Sequence, residues 1–261
     1  MTDYQAELEF AKQLAIKAGK IITKNFLHST ITTKSNLTPV TETDLAVSQM
    51  VIDEVKKNFP NHEVFDEEFQ HENHDAEFIW VCDPVDGTTP FSHHIPTSMF
   101  SLALCSNEEP VVAVTYDPFI KRLLSTQKNS PSFLNEKKIH VKSGKFITGE
   151  YIFGIPYWNQ NFNTNKYLEM IFKKKIWVTY VESIVYESMM IATGISKALV
   201  TVAANPWDRA AAKMIIENAG GICTDENDKR LTVFGNPQYF IATNKEVHEE
   251  IIEIVQQCLH K

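Results

Sequence analysis

The chain is poor in several features that mark large classes of proteins. Only four of its 261 residues are cysteine, and they stand far apart without the spacing of metal ligands. We therefore expect buried, reduced thiols. No apolar run is long enough to span a bilayer, and the N-terminus is polar and acidic, unlike a signal peptide. These absences predict a cytoplasmic protein without a membrane partner.

Positive charge is also scarce. The chain has 25 Lys and Arg residues against 33 Asp and Glu, which gives a formal net charge of −8 at pH 7. No basic stripe is visible, so the sequence argues against nucleic-acid binding through a positively charged face. An anionic substrate would not enter an acidic pocket unless metal ions reversed the local potential.

Apolar residues, by contrast, are abundant, and at 43% of the chain they suffice for a large core. A first helix is predicted over 3–27 from apolar residues at helical spacing: Leu8, Ala11, Ala15, Ala18 and Ile22. A second helix begins after Thr41, which forms a capping-box pattern with Asp44. Turn signals then separate three runs that predict antiparallel strands: 99–105, 110–116 and 122–126.

The second half alternates between strand and helix patterns, and its last predicted helix starts near Thr243. We therefore predict an α+β fold of layered helices and sheets, with an antiparallel-rich N-terminal half and an α/β C-terminal half. A soft boundary divides a subdomain over 1–145, with most candidate metal ligands, from one over 146–261 with Asp208 and the substrate-recognition residues.

The stretch from Asp83 to Pro90 is the most informative part of the sequence. It follows an apolar run over 78–82 that predicts a buried strand, so Asp83 and Asp86 lie at that strand's C-terminal end. Gly87 permits a sharp turn, and Thr88 and Thr89 are suitable caps for a new helix. Such a turn places oxygen ligands beside free backbone N–H groups, which can hold a divalent cation next to a phosphate.

Three other carboxylates are candidates for the same site: Asp44, Glu67 and Asp208. Asp208 falls in the first turn of a helix capped by Asn205, with Pro206 at its first position. Taken singly, each of the three is more often a cap, a solvated loop residue or a helix-dipole partner. Together with Asp83 and Asp86 they would repel one another unless cations lay between them, and Mg²⁺ is the cation that fits oxygen ligands and phosphate.

The chain resembles the inositol monophosphatase family of metal-dependent, lithium-sensitive phosphomonoesterases. Its first signature, Asp-Pro-(Ile/Val)-Asp-Gly-Thr, matches Asp83 to Thr88, and its second matches Trp207-Asp208 with Ala219-Gly220-Gly221. Weaker matches are 38–44, Glu67-Glu68 and 133–135. The matches follow the family order from about residue 8 to 243.

The resemblance implies an αβαβα sandwich of the sugar-phosphatase type and two or three Mg²⁺ ions. It implies a metal-ligand set made of four carboxylates and one main-chain carbonyl: Glu67, Asp83, Asp86, Asp208 and the carbonyl of Val85. It also implies that Asp44 and Thr88 orient the attacking water, that Glu67 takes part in catalysis, and that the N–H groups of Gly87, Thr88 and Thr89 bind phosphate. No covalent intermediate is required.

The residues expected to meet the alcohol depart from the family pattern. Ser183 follows Glu182 where the family has Gly-Thr, and Thr201 replaces a Glu that contacts the inositol ring in many members. Asp208 would contact the substrate as well as metal. Asp66 and Pro90 replace a Gly and an Asn without removing a ligand. These differences concern recognition of the alcohol rather than the metal site.

We therefore expect hydrolysis of a small phosphate monoester by metal-activated water, with inositol 1-phosphate as the first substrate. Histidinol phosphate, fructose 1,6-bisphosphate and a 3′-phosphoadenylate are alternatives, and the resemblance implies a homodimer. An aspartyl-phosphate mechanism fits less well, because two residues, Pro84 and Val85, separate the aspartates where that mechanism has one. A non-catalytic regulatory protein that binds metal and phosphate is the alternative of another class.

Overall fold

The computed structural model of the chain describes residues 4–28, 31–33, 39–69, 76–156, 161–202 and 205–260. The elements of the first half are α1 (Gln5–Asn25), β1 (Ile31–Thr33), β2 (Pro39–Thr41), α2 (Glu42–Asn58), β3 (Glu63–Asp66), β4 (Phe78–Asp86), α3 (Thr88–Ser92), β5 (Met99–Ser106), β6 (Glu109–Asp117), β7 (Arg122–Gln127), β8 (Phe133–Leu134) and β9 (Lys137–Lys138). Those of the second half are β10 (Tyr151–Phe153), α4 (Thr164–Lys173), β11 (Trp177–Thr179), α5 (Ile184–Ala192), β12 (Ala198–Val202), α6 (Pro206–Asn218), β13 (Ile222–Thr224), β14 (Tyr239–Thr243) and α7 (His248–Cys258).

Two mixed sheets organise the fold. The larger has seven strands in the order β3-β4-β5-β6-β7-β8-β9, and only the pairing of β3 with β4 is parallel. The three antiparallel strands predicted from the sequence are β5, β6 and β7, which confirms that prediction. The smaller sheet has the order β11-β10-β12-β14-β13 and combines parallel with antiparallel pairs.

Helices and sheets alternate in five layers. Helices α1 and α2 pack on one face of the seven-stranded sheet, and α5 and α6 lie between the two sheets. Helices α4 and α7 pack together on the far face of the five-stranded sheet. The layering follows from apolar stripes, since the predicted face of α1 is buried from Leu8 to Ile22. The predicted αβαβα sandwich is confirmed.

The strands divide between the halves of the chain, but the core does not. Every strand of the larger sheet precedes residue 139, and every strand of the smaller one follows residue 150. The largest apolar cluster nevertheless joins residues of both halves, such as Val81 from β4 and Ile215 from α6. The division at residue 145 therefore stays a prediction.

Some element boundaries differ from the sequence-based prediction. The first helix starts at Gln5, and residue 3 lies outside the described residues. The last helix starts at His248 rather than near Thr243, because Thr243 ends the buried strand β14. The capping box of Thr41 and Asp44 at the start of α2 is present as predicted.

All four cysteines are buried, free thiols, in agreement with the prediction. Among the described residues, no helix combines the length and the apolar character that a bilayer crossing requires.

Gly154 and Gly149 offer a matched test of backbone geometry. Both have positive φ (+82° and +85°), but a Cβ at Gly154 would lie 2.3 Å from the carbonyl oxygen of Val200, whereas one at Gly149 would meet nothing within 4 Å. We expect Gly149→Ala to lower the free energy of unfolding by about 1 kcal/mol from the left-handed backbone alone. Gly154→Ala adds a clash with the main chain of β12 and should cost about 3 kcal/mol. Urea unfolding measures both, and equal losses would contradict this account.

Candidate active site

A bulge in β4 brings Asp83 and Asp86 to the same side of the larger sheet. Asp83 pairs with Ser101 and Asp86 with Met99, so β4 carries one more residue than β5 across this interval. In a regular strand, residues three apart point to opposite faces. The extra residue removes this alternation, and carboxylate oxygens of Asp83 and Asp86 lie within 4.8 Å of each other.

The chain turns sharply at Gly87, as predicted. Gly87 has a φ of +85°, and a Cβ there would lie 3.0 Å from the Cβ of Ser183 and 3.1 Å from the carbonyl oxygen of Glu182. The prediction that Thr88 and Thr89 cap the next helix is wrong, because Gly87 is the N-cap and no side chain caps α3. The hydroxyl of Thr88 instead bonds to a distant part of the chain.

Asp208 arrives at the same place from α6. Asn205 is the N-cap and Pro206 occupies the first turn, as predicted, and the N–H of Asn205 donates to Oδ2 of Asp208 at 2.8 Å. Carboxylate oxygens of Asp83, Asp86 and Asp208 all lie within 4.8 Å of one another. The structure therefore brings together the three aspartates of the two signatures.

Protein groups hold one oxygen of each aspartate. The donors are the Val85 N–H to Asp83 Oδ1 (3.0 Å), the Ser183 Oγ and the Val185 N–H (2.8 Å) to Asp86 Oδ2, and the Asn205 N–H to Asp208 Oδ2 (2.8 Å). Most of these donors are main-chain amides at turns or helix starts, which favour negative charge. They hold one oxygen of each carboxylate, and the side chains of Asp83 and Asp208 also hydrogen-bond to each other.

The aspartates are costly to ionise together without a cation. Burial, followed by the charge of Glu67, raises the pKa of Asp83 well above its usual range. Burial raises the pKa of Asp86 to about 6, and burial with the charge of Asp86 raises the pKa of Asp208 strongly. A cation between them would remove the repulsion, and a donor set made only of oxygens fits Mg²⁺.

Glu67 lies at the edge of this group. It directly follows β3, is half-buried, and donates its N–H to the carbonyl of Cys82 at 3.2 Å. Its negative charge contributes to the raised pKa of all three aspartates. The carbonyl of Val85, the fifth predicted ligand, accepts a hydrogen bond from Thr88 Oγ1 at 3.3 Å. The metal-binding roles of Glu67 and Val85 stay predictions.

Asp44 and Thr88 meet beside the aspartates. Thr88 Oγ1 donates to Asp44 Oδ1 at 3.2 Å, while the N–H of Thr41 donates to Asp44 Oδ2 at 2.9 Å. Asp44 is fully buried, and burial raises its pKa to about 6. The structure thus joins two residues that the sequence analysis paired, while their action on water stays a prediction.

The two predicted recognition residues lie in different surroundings. Ser183 is buried at the N-cap of α5, and its hydroxyl donates to Asp86, a contact that the sequence analysis did not foresee. A Ser directly before a helical pattern signals a cap, but not the partner across the site. Thr201 is buried on β12 opposite Phe240. Contact of either residue with substrate stays a prediction.

Comparisons with known proteins agree with this site. A family model described as "Inositol monophosphatase family" matches residues 3–260. The chain is 30% identical over 228 residues to the fructose-1,6-bisphosphatase/inositol-1-monophosphatase of Thermotoga maritima, covering 85% of this chain and 84% of that protein. It is 27% identical to the Nus factor SuhB of Escherichia coli, covering 96% and 98%.

Solved structures share the fold. The chain matches the IMPase structure from Thermotoga maritima with a TM-score of 0.87 and 28% identity, and the match covers 97% of each chain.

Binding of Mg²⁺ should stabilise the protein in a pH-dependent way. Because the pKa values of Asp44 and Asp86 are raised, the metal-free folded state holds protons that the unfolded chain has already released. The stability that these bound protons contribute is therefore lost as the pH rises from about 4 through about 6. Saturating Mg²⁺ should restore it and raise the Tm at pH 7.5 by about 5 °C or more. At pH 5 the rise should be smaller, because protons compete with the cation. Differential scanning calorimetry at both pH values measures this.

Asp208→Asn should raise the Tm of the metal-free protein at pH 7.5 and reduce the Mg²⁺-induced rise. Asp53→Asn, at an exposed carboxylate on α2, serves as the matched control and should behave like the unmutated chain. A Mg²⁺-induced rise in Tm that is equal in all three proteins would contradict the assignment of this site.

Proposed function

The chain belongs to the inositol monophosphatase family, a family of metal-dependent phosphoric monoester hydrolases, and we propose that it hydrolyses a small phosphate monoester with Mg²⁺ as cofactor. The observation that carries this proposal is the convergence of Asp83, Asp86 and Asp208 beside the turn at Gly87. Inositol 1-phosphate is the first substrate that we propose.

We propose that two or three Mg²⁺ ions bind here, held by the four carboxylates of Glu67, Asp83, Asp86 and Asp208 and by the carbonyl of Val85. When bound, Mg²⁺ would supply the positive charge that makes a nearby water more acidic and neutralises the phosphate and the leaving alkoxide. The residues support this proposal in two ways. The atoms that they offer to a metal are all oxygens. Their carboxylates also repel one another in the metal-free protein, and a cation between them would remove this repulsion.

The start of α3 would hold the phosphate. The first N–H groups of a helix have no acceptor within the helix and attract anions. Here they belong to Thr88 and Thr89, next to the N–H of Gly87. They would contact the equatorial oxygens of the phosphoryl group, where charge develops during transfer.

Thr88 and Asp44 would orient the attacking water. The hydroxyl of Thr88 has a single hydrogen, which it shares between Asp44 Oδ1 and the carbonyl of Val85, so its lone pairs are free to accept a hydrogen from water. Asp44 has a pKa of about 6 and can take up a proton near neutral pH. A direct attack by this water needs no covalent enzyme intermediate.

The alcohol of the substrate is a separate question from the reaction. Histidinol phosphate, fructose 1,6-bisphosphate and a 3′-phosphoadenylate are the alternatives to inositol 1-phosphate, and Ser183, Thr201 and Asp208 are proposed to contact the alcohol. We further propose that the protein is cytoplasmic and, as the family resemblance implies, a homodimer.

A regulatory role is the second candidate. One relative, similar over nearly the whole chain, is named Nus factor SuhB, and this name does not describe a phosphatase. A protein that binds metal and phosphate without turnover would keep the aspartates and lack phosphatase activity. Activity measurements separate the two candidates.

Asp208→Asn should abolish turnover while leaving the fold intact. The substitution removes one negative ligand from the three-aspartate group, and we expect kcat/KM to fall about a thousandfold or more. Phosphate release from a panel of inositol, sugar, histidinol and nucleotide phosphates, with and without Mg²⁺, provides the measurement. Asp53→Asn is the control and should keep full activity. An unaltered rate in Asp208→Asn would show that the metal assignment is wrong.

Lithium should slow the Mg²⁺-supported reaction. Li⁺ is a small cation that prefers oxygen ligands but brings only one positive charge, so it would occupy the site without the full charge that the reaction needs. We expect Li⁺ to lower kcat at a fixed Mg²⁺ concentration and K⁺ at equal ionic strength to have little effect. Equal rates in LiCl and KCl would count against the family mechanism in this chain.

A further inference from the structure

Helix α5 begins directly behind Asp86 and carries a further carboxyl that belongs to none of the roles described so far. Ser183 and Val185, at the start of this helix, both donate to Asp86 Oδ2. Glu187 lies one turn further along α5 and is completely buried in an otherwise apolar stretch. A buried carboxyl in such a helix needs a specific partner.

The partner of Glu187 is the main chain just before the helix. The N–H of Val181 donates to Glu187 Oε1 at 2.9 Å, and this bond spans Glu182 and Ser183. Glu182 has a φ of +58°, in the left-handed region that L residues rarely adopt. The side chain of Glu187 therefore closes a turn that the local backbone preference does not favour.

This turn contacts Asp86, one of the proposed metal ligands. Ser183, its last residue, accepts the N–H of Tyr186 and donates its hydroxyl to Asp86. The same turn also lies against Gly87, since a Cβ there would come within 3.1 Å of the carbonyl oxygen of Glu182. A shift of the turn would move Ser183 away from Asp86 and open the contact with Gly87.

We propose that Glu187 is a positioning residue, which fixes the turn of residues 181–183 and through Ser183 holds Asp86 in its metal-binding orientation. The inference rests on the proposed function, in which Asp86 is a metal ligand. Glu187 itself does not touch the metal or the substrate. Supporting groups of this kind commonly change metal affinity or activity by about 10- to 100-fold when they are removed.

Burial favours the neutral form of this carboxyl. Burial, with smaller contributions from the charges of Asp86 and Glu182, raises the pKa of Glu187 to about 8. The phenol of Tyr167, from α4, lies close enough for the charge of Glu187 to contribute to its raised pKa. A neutral carboxylic acid and a glutamine amide have nearly the same shape, and each offers a carbonyl oxygen to the N–H of Val181. Gln is therefore the substitution that should preserve the proposed role.

The test compares Glu187→Leu, Glu187→Gln and a control. Leu fills the space but leaves the N–H of Val181 without its acceptor, whereas Gln keeps an acceptor. Ser196→Ala is the matched control, because it removes the hydrogen bond that the buried Ser196 donates to the carbonyl of Tyr151, beyond the other end of α5. Two quantities are measured in each protein: the Mg²⁺ concentration for half-maximal phosphate release, and the Mg²⁺ dissociation constant by isothermal titration calorimetry.

We expect Glu187→Leu to raise both Mg²⁺ constants about tenfold. Glu187→Gln should stay within about twofold of the unmutated protein, and Ser196→Ala should leave both constants unaltered even where it lowers the Tm. Unaltered constants in Glu187→Leu would overturn the proposal. So would a rise in Glu187→Gln as large as that in Glu187→Leu, or a rise in Ser196→Ala that follows its loss of stability.

The two readouts separate this inference from the proposed function. If the unmutated protein binds Mg²⁺ but releases no phosphate from the panel, the proposed hydrolase activity fails, and calorimetry alone still decides whether Glu187 supports Asp86. If it releases phosphate and Glu187→Leu binds Mg²⁺ normally, the hydrolase proposal stands and the positioning role is wrong.

Discussion

The repulsion among three carboxylates, two of them buried and that of Asp208 half-buried, is the constraint on which the rest of the site depends. Asp83, Asp86 and Asp208 come from two elements, and the fold holds them closer than like charges favour. Main-chain amides at a bulge and at two helix starts hold one oxygen of each, which supplies partial positive charge without a basic side chain. A cation would neutralise the negative charge that these amides leave uncompensated.

Much of this site follows from local sequence chemistry. The strand, turn and helix around Asp83 to Thr88, the capped helix start at Asp208, and the Thr41–Asp44 box each lie within a few neighbouring residues. Propensity and capping act over that range, so these features were predictable. The layering was predictable as well, because the apolar spacing of α1 shows which face it buries.

Contacts between distant segments were not predictable in the same way. The hydroxyl of Thr88 suits a helix cap, but Asp44, 44 residues earlier, provides a better partner, and Gly87 becomes the cap instead. The bond from Ser183 to Asp86 joins residues 97 apart, and nothing near either residue indicates it. Glu187 did offer a signal, since a charged residue in an apolar helix calls for a partner, but the partner emerges only from the tertiary structure.

The origin of the aspartates in opposite halves of the chain has a mechanical consequence. Asp83 and Asp86 end a strand of the larger sheet, while Asp208 begins the helix sandwiched between the two sheets. An ion bound between them would act as a removable cross-link between these layers. Metal binding should therefore slow amide hydrogen exchange at the beginning of α6 and at the end of β4 together. The sandwich would become more rigid as the metal site fills and less rigid as it empties.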